Sequence, residues 1–272
     1  MNSANLKYKD RLFNAIFGAE ENKSWTLSLY NAVSGSSYTD PSAITITTIH
    51  EIMYLSMHND VSFLIGNEMN LYEQQSTYNP NMPLRMLMYI GHLYDKYLRE
   101  EKLNRYSSQL LRIPAPILVV FYNGKKEQPE KTALKLSDSY PEGISGAVEA
   151  IVIMLNINSG RNKELMEACK PLAEYAWFVE EVRKNTRNTD KESRVLAVDR
   201  AITAVPDDFL IKPFLEAHRA EVRGMMLEEY NEAEQMELFR QDGVKEGRKE
   251  GRKEGQKEGK ILGTIETMRD DG

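Results

Sequence analysis

NDVSFLIGNEMNLYEQQS, residues 59–76, places two apolar-rich runs on either side of Gly66-Asn67. Such a pair between alternating apolar residues signals a two-residue hairpin turn. A turn there pairs Ile65 with Glu68, Leu64 with Met69, Phe63 with Asn70, Ser62 with Leu71, Val61 with Tyr72 and Asp60 with Glu73. Two carboxylates then stand directly opposed. Cross-strand partners have Cβ atoms ~5 Å apart, and like charges so placed are destabilising unless something neutralises them. A hard cation such as Mg2+ does so, taking one or two protein carboxylates and completing its shell with water and phosphate oxygens. Gln75 shares the face of Glu73, two residues on, where its amide can orient an attacking water or a phosphate oxygen. The same residues also fit a plainer arrangement. One extra residue in the turn shifts the register and leaves Asp60 and Glu73 as solvent-facing strand ends.

Working outward, residues 6–33 carry apolar groups at helical spacing, Leu6, Phe13, Ile16 and Phe17 before Gly18 and Trp25, Leu27 and Leu29 before Ser34-Gly35, which predicts two short helices. ITITTI, residues 44–49, is β-branched and short, as a strand should be. Pro83 opens a long helical pattern that runs to about Leu103. PAPILVVFYNG, residues 114–124, is a continuous apolar run, the signature of a strand buried on both faces. The order helix, strand, strand, strand, helix, strand suits an α/β fold with a mixed sheet and a crossover helix.

Beyond Gly124 the expected elements are a strand within AVEAIVIMLNI, a helix over residues 164–185 kinked by Pro171, and a helical stretch over roughly 209–240. The expected organisation is a core over 1–130, sheet completion and a C-terminal helical region over 131–240, and a tail over 241–272. In the tail, Gly243, Gly247, Gly251, Gly255 and Gly259 recur every four residues among Lys and Glu. A helix there sets like charges at i,i+4 and carries one Gly per turn, each costing about 1 kcal/mol relative to Ala. The tail therefore reads either as an oligomerisation element ending in Ile261, Leu262, Ile265 and Met268, or as a solvated flexible extension.

At 272 residues the chain can bury a proper core without staples. Cys169 is its one cysteine, so no disulfide framework exists within the chain, no Cys/His zinc spacing occurs, and a reducing cytoplasm is the expected compartment. The opening residues lack an apolar signal region, and no run approaches the ~20 apolar residues of a membrane span, so no membrane is expected as a partner. A net charge of −6 argues against a protein that coats DNA, though an enzyme that binds it transiently needs only a local basic face. No G-x-S-x-G elbow and no G-x-x-x-x-G-K-[ST] loop occurs.

On the helix after the hairpin, Arg85, Tyr89, His92, Lys96 and Arg99 fall on one stripe, with Leu84, Leu87, Met88, Gly91, Tyr94 and Leu98 as the expected core face. The basic stripe is either a rail for a DNA backbone or an ordinary solvated face.

These runs together, KDRLFNAIFGAEENK (9–23), residues 59–98 with LYEQQS and MPLRMLMY, VVFYNGK (119–125) and the KEGR repeats, resemble the Rpn family of recombination-promoting nucleases and transposases. That family belongs to the PD-(D/E)XK nuclease-like superfamily. The resemblance is densest over residues 7–125 and implies a restriction-endonuclease-like core. It implies that Asp60 and Glu73 hold Mg2+ (or Mn2+ or Ca2+), that Gln75 stands where the usual pattern has lysine, and that Asp10 matches an acidic group some members bring from the first helix. It also places Arg85 in a family-like segment. Glutamine positions a water but supplies neither charge nor proton. The implied activity is metal-dependent hydrolysis of DNA phosphodiesters, with DNA and a homo-oligomer as partners. The alternative is a weakened or inactive nuclease-fold protein that binds DNA or self-assembles.

Overall fold

A computed structural model of the protein describes residues 12–47, 61–186 and 190–229, together with Asn231 and Arg248. The chain divides into two units, Met1–Glu229 and Tyr230–Gly272. In the second unit only Asn231 and Arg248 are described, so the repeat tail and its expected roles lie outside the described residues.

In the first unit, Gly66 takes φ +56, the positive value that the first central position of a two-residue hairpin demands. The turn joins β2 (Val61–Ile65) to β3 (Glu68–Gln75) in the expected register, with Val61 facing Tyr72 and Ile65 facing Glu68. The next pair of that register, Asp60 with Glu73, involves a residue outside the described ones. β1 is shorter than ITITTI suggests: Thr45–Ile46 pair with Leu64 and Phe63, and the Thr47 amide extends the ladder to the Ser62 carbonyl at 2.8 Å. β3 leads through α3 (Met82–Glu100) to β4 (Ala115–Tyr122), which lies parallel to it. β5 (Lys131–Lys135) and β6 (Ile151–Asn156) complete a six-stranded mixed sheet in the order β1-β2-β3-β4-β6-β5, with β6 parallel to β4 and β5 antiparallel at the edge. Strands from both sides of residue 130 thus share one sheet.

Alternation along the strands sorts the two faces. Met69 and Leu71, with Leu118, Val120, Tyr122, Val152 and Met154, pack under Met82, Met86, Tyr89, Ile90 and Leu93 of α3. On the other face Phe63, Tyr72 and Phe121 form an edge-to-face row across three strands, with ring centroids 5.2 and 5.5 Å apart. That row is covered by Phe13 of α1 (Leu12–Phe17), Tyr30 of α2 (Lys23–Ser34) and Tyr175 of α5, Lys170–Asn185. The fold is an α/β sheet with helices on both faces.

Four details differ from the sequence reading. The core side of α3 is the Met82, Met86, Tyr89, Ile90 and Leu93 stripe, while Leu84 and Met88 are 48% and 37% exposed and Gly91 is exposed. The helix is amphipathic, but Tyr89 belongs to its buried side whereas Leu84, Met88 and Gly91 do not, so the buried stripe is rotated from the expected one. Pro171 does not kink a single helix. The chain breaks at Cys169 between α4 (Lys163–Ala168) and α5, because proline takes the first turn of the second helix, where its missing N–H costs nothing. β5 was not expected, since a short edge strand flanked by Lys131 and Lys135 has little apolar signal. Nor was α6 (Lys191–Ala204), whose start is set by Asp190, with its carboxylate accepting from the Ser193 amide at 2.8 Å. The expected stretch from 209 appears as α7 (Lys212–Ala217) and a helical run over 219–229, and its continuation lies outside the described residues.

Candidate functional site

β3 is built from alternating apolar residues until its last three positions, Glu73, Gln74 and Gln75, all of which are buried. A polar end on a strand buried on both faces is costly unless its groups find partners. Glu73 and Gln75 fall on the α3 side, following Met69 and Leu71, whereas Gln74 falls on the aromatic side with Tyr72.

Glu73 is 1% exposed, and its Oε2 lies 3.7 Å from Nη2 of Arg85, whose side chain is 30% exposed. Arg85 is itself held by α3: Nη2 donates to the Tyr89 hydroxyl at 3.1 Å, Nη1 reaches Met82 Sδ at 3.4 Å, and the guanidinium carbon sits 5.8 Å from the Tyr89 ring centroid. The first turns of α3 therefore present a cation to a buried carboxylate. Gln75 is also buried, and its Nε2 has no hydrogen-bond partner. On this face the strand end offers one carboxylate and one amide two residues apart, both bearing hard oxygen donors of the kind Mg2+ takes. Among the described residues no group of three or more His, Cys, Asp or Glu converges on one point. Asp60 and Asp10, which the sequence reading adds to the set, lie outside the described residues.

The remaining members of the basic stripe separate in the structure. Tyr89 is a core residue and not an exposed ring interleaved among charges. Lys96 Nζ donates to the Thr47 carbonyl at 3.1 Å and lies 4.0 Å from Glu100, so it ties α3 to the end of the β1 ladder. Arg99 pairs with Asp95 at 3.4 Å, and Arg105 closes on the same carboxylate. These contacts hold the Asp95 carboxyl below the usual carboxylate range, with the Arg105 hydrogen bond as the main cause and Arg99 and His92 adding to it. His92 is half-buried. Arg85, His92, Lys96 and Arg99 thus do not form a row of unengaged charges, and Arg85 alone of them meets Glu73.

The sequence reading missed a second polar group, at the carboxyl ends of β3 and β4. Asn123, directly after β4, accepts at Oδ1 from Gln74 Nε2 at 2.7 Å and from Arg183 of α5 at 3.2 Å. Asn123-Gly124 reads in the sequence as punctuation after an apolar strand. The overlooked signal was a pair of amide side chains, Gln74 in the last residues of one apolar strand run and Asn123 directly after another.

No family model matches the chain, and neither does any curated protein or any solved structure. No helix among the described residues is long and apolar enough to cross a membrane.

Proposed function

We propose that this chain is a metal-dependent DNA endonuclease of the recombination-promoting type, in a restriction-endonuclease-like fold. The observation that carries the reading is Glu73, a carboxylate buried to 1% exposure at the end of a central strand, beside Gln75 and braced by Arg85. Carboxylates are rarely buried in a strand for packing, and a buried acid with one specific charge partner is a functional-site candidate. The hairpin register supports the reading further, because Val61 faces Tyr72 in the alignment from which the opposition of Asp60 and Glu73 was expected.

In this reading Glu73 and Asp60 hold the cation. A bound Mg2+ or Mn2+ supplies the Lewis acidity that phosphodiester hydrolysis needs at neutral pH. Gln75 turns its amide toward the attacking water and orients it, without taking its proton. Arg85 holds and aims the Glu73 carboxylate, since guanidinium donates and never accepts. Lys96 and Arg99 of α3 would contact the DNA backbone by exchanging their present partners for phosphates, and half-buried His92 on the same stripe would join them.

One observation favours the second reading, a nuclease-like fold that binds DNA or self-assembles without cutting it. Arg85 already supplies Glu73 with a positive charge, and Gln75 brings none where the usual pattern has lysine. Nicking of supercoiled plasmid in the presence of Mg2+ or Mn2+ separates the two. Cleavage that disappears in Glu73→Ala and in Asp60→Ala supports the nuclease; cleavage retained in full by either variant refutes the assignment. DNA retention with no nicking in the wild type selects the second reading.

A further inference from the structure

We propose that Asn123 and Arg183, where β4 ends against the last turn of α5, form a binding site for a phosphate oxyanion, separate from Glu73. The two donors that converge on Asn123 Oδ1 determine its amide orientation. Arg183 and Gln74 Nε2 both need an acceptor there, so Oδ1 faces them and Nδ2 faces away. Asn123 is 2% exposed and its Nδ2 has no hydrogen-bond partner, which is a buried donor pair awaiting an acceptor.

The charge beside it is equally unmatched. Among the described residues no carboxylate pairs with Arg183, whose guanidinium engages only the neutral Asn123 amide. Its neighbour in the same helical turn, Lys184, pairs with Glu180 at 3.0 Å. The Arg183 charge is also felt at the Tyr122 hydroxyl, lowering a pKa that burial raises more strongly. Lys125 and Lys126, exposed on the loop directly after Asn123, add positive charge at the same sheet end. The acids of that loop region are engaged or distant in sequence from the pair, with Glu127 held by Arg161 at 2.9 Å.

A planar guanidinium with free donors, an amide N–H pair without an acceptor and two exposed lysines together call for a ligand that is anionic and rich in acceptor oxygens. A phosphate meets all three demands. The site also lies where parallel strands end, the usual location of ligands in open α/β sheets. Gln74 and Asn123 continue the strand pair that bears Glu73 and Gln75, but they lie on the aromatic face of the sheet, opposite the face of the Glu73 carboxylate. The existence of an anion site does not depend on the cleavage reading. The choice of a DNA phosphodiester over free phosphate as its occupant rests on that reading.

The test uses the full chain and reads binding without cleavage. Wild type, Asn123→Asp, Arg183→Gln and Lys184→Gln are titrated with inorganic phosphate, with a short single-stranded oligonucleotide, and with its uncharged methylphosphonate analogue. Asn123→Asp keeps the acceptor that Gln74 and Arg183 require, and so keeps the fold, while replacing the Nδ2 donors with a second oxygen. Lys184→Gln removes the same charge from the same helical turn. The expected result is a loss of about tenfold or more for Asn123→Asp and Arg183→Gln, the equilibrium effect of one charge-assisted contact, with Lys184→Gln close to wild type. Loss on both probes identifies a general phosphate site, and loss confined to the oligonucleotide identifies the nucleic-acid backbone as its source. Unaltered binding in the two site variants, or an equal loss in Lys184→Gln, overturns the proposal. Glu73→Ala keeps these roles distinguishable: it removes nicking if the nuclease reading holds and leaves anion binding intact.

Discussion

Glu73 and Arg85 meet between β3 and α3 with their nearest charged atoms 3.7 Å apart, the carboxylate 1% exposed and the guanidinium 30%. The pair is unequal, because one partner is shut away from water and the other is not. Loss of the guanidinium leaves a buried anion with one cation fewer, whereas loss of the carboxylate charge leaves a cation that water can reach. Arg85→Ala is therefore expected to destabilise the fold by about 1–3 kcal/mol, discounted for the partial solvation of the arginine, and Glu73→Gln by less than about 1. Urea unfolding of both variants gives the comparison. Equal losses would mean that the asymmetry in burial has no energetic consequence.

The phase of α3 makes a second pair of variants informative. Leu93 lies on the core side of the helix, and Leu84 is 48% exposed on its far side. Leu93→Ala should cost about 2–5 kcal/mol through lost burial and the cavity left behind, while Leu84→Ala should stay within about 0.5. Reversal of that order in denaturation midpoints would restore the face first expected from the sequence.

Two glycines are expected to respond in opposite directions to the same change. Gly66 holds φ +56 in the hairpin turn, and a Cβ there has room but not a comfortable backbone. Gly91 sits on the exposed side of α3 with nothing within 4 Å of an added Cβ. Gly66→Ala should lose about 1–2 kcal/mol, and Gly91→Ala should gain up to about 1. Thermal unfolding of the two proteins side by side decides it.

Acid should loosen the start of α6 in a defined way. Hydrogen bonds from the backbone and side chain of Ser193 hold the Asp190 carboxyl below its ordinary pKa. A folded-state pKa that is depressed contributes stability above the unfolded value, near pH 3.9, and that contribution is lost as pH falls through the lower folded value. Asn caps a helix as well as Asp does and does not titrate. The stability of Asp190→Asn relative to wild type should rise as pH is lowered through about 4. A constant difference across that range would show that the cap does not depend on the charge.

Much of the architecture was legible because it is written locally. The Gly66-Asn67 turn specified the β2–β3 register residue by residue, since turn geometry and side-chain alternation leave one pairing that buries Phe63, Leu71 and Tyr72 together. The apolar run before Asn123 announced β4, and Pro83 marked the first turn of α3. Where local signals were weak the reading failed: β5 is short and flanked by lysines, and α6 carries few large apolar residues.

By itself, then, the amino-acid order determined the hairpin, the succession of strand, helix and strand, and the carboxylate and amides at the end of β3, because each is marked by residues within a few positions of one another. Only tertiary structure decided which stripe of α3 meets the sheet, that Arg85 turns to Glu73, and that Gln74, Asn123 and Arg183 gather at one point. Those outcomes bring together groups from separate elements, with Asn123 lying 49 residues after Gln74 and 60 before Arg183. No local propensity encodes them, since they follow from packing two helical layers against one sheet, which brings together polar groups that the chain keeps apart.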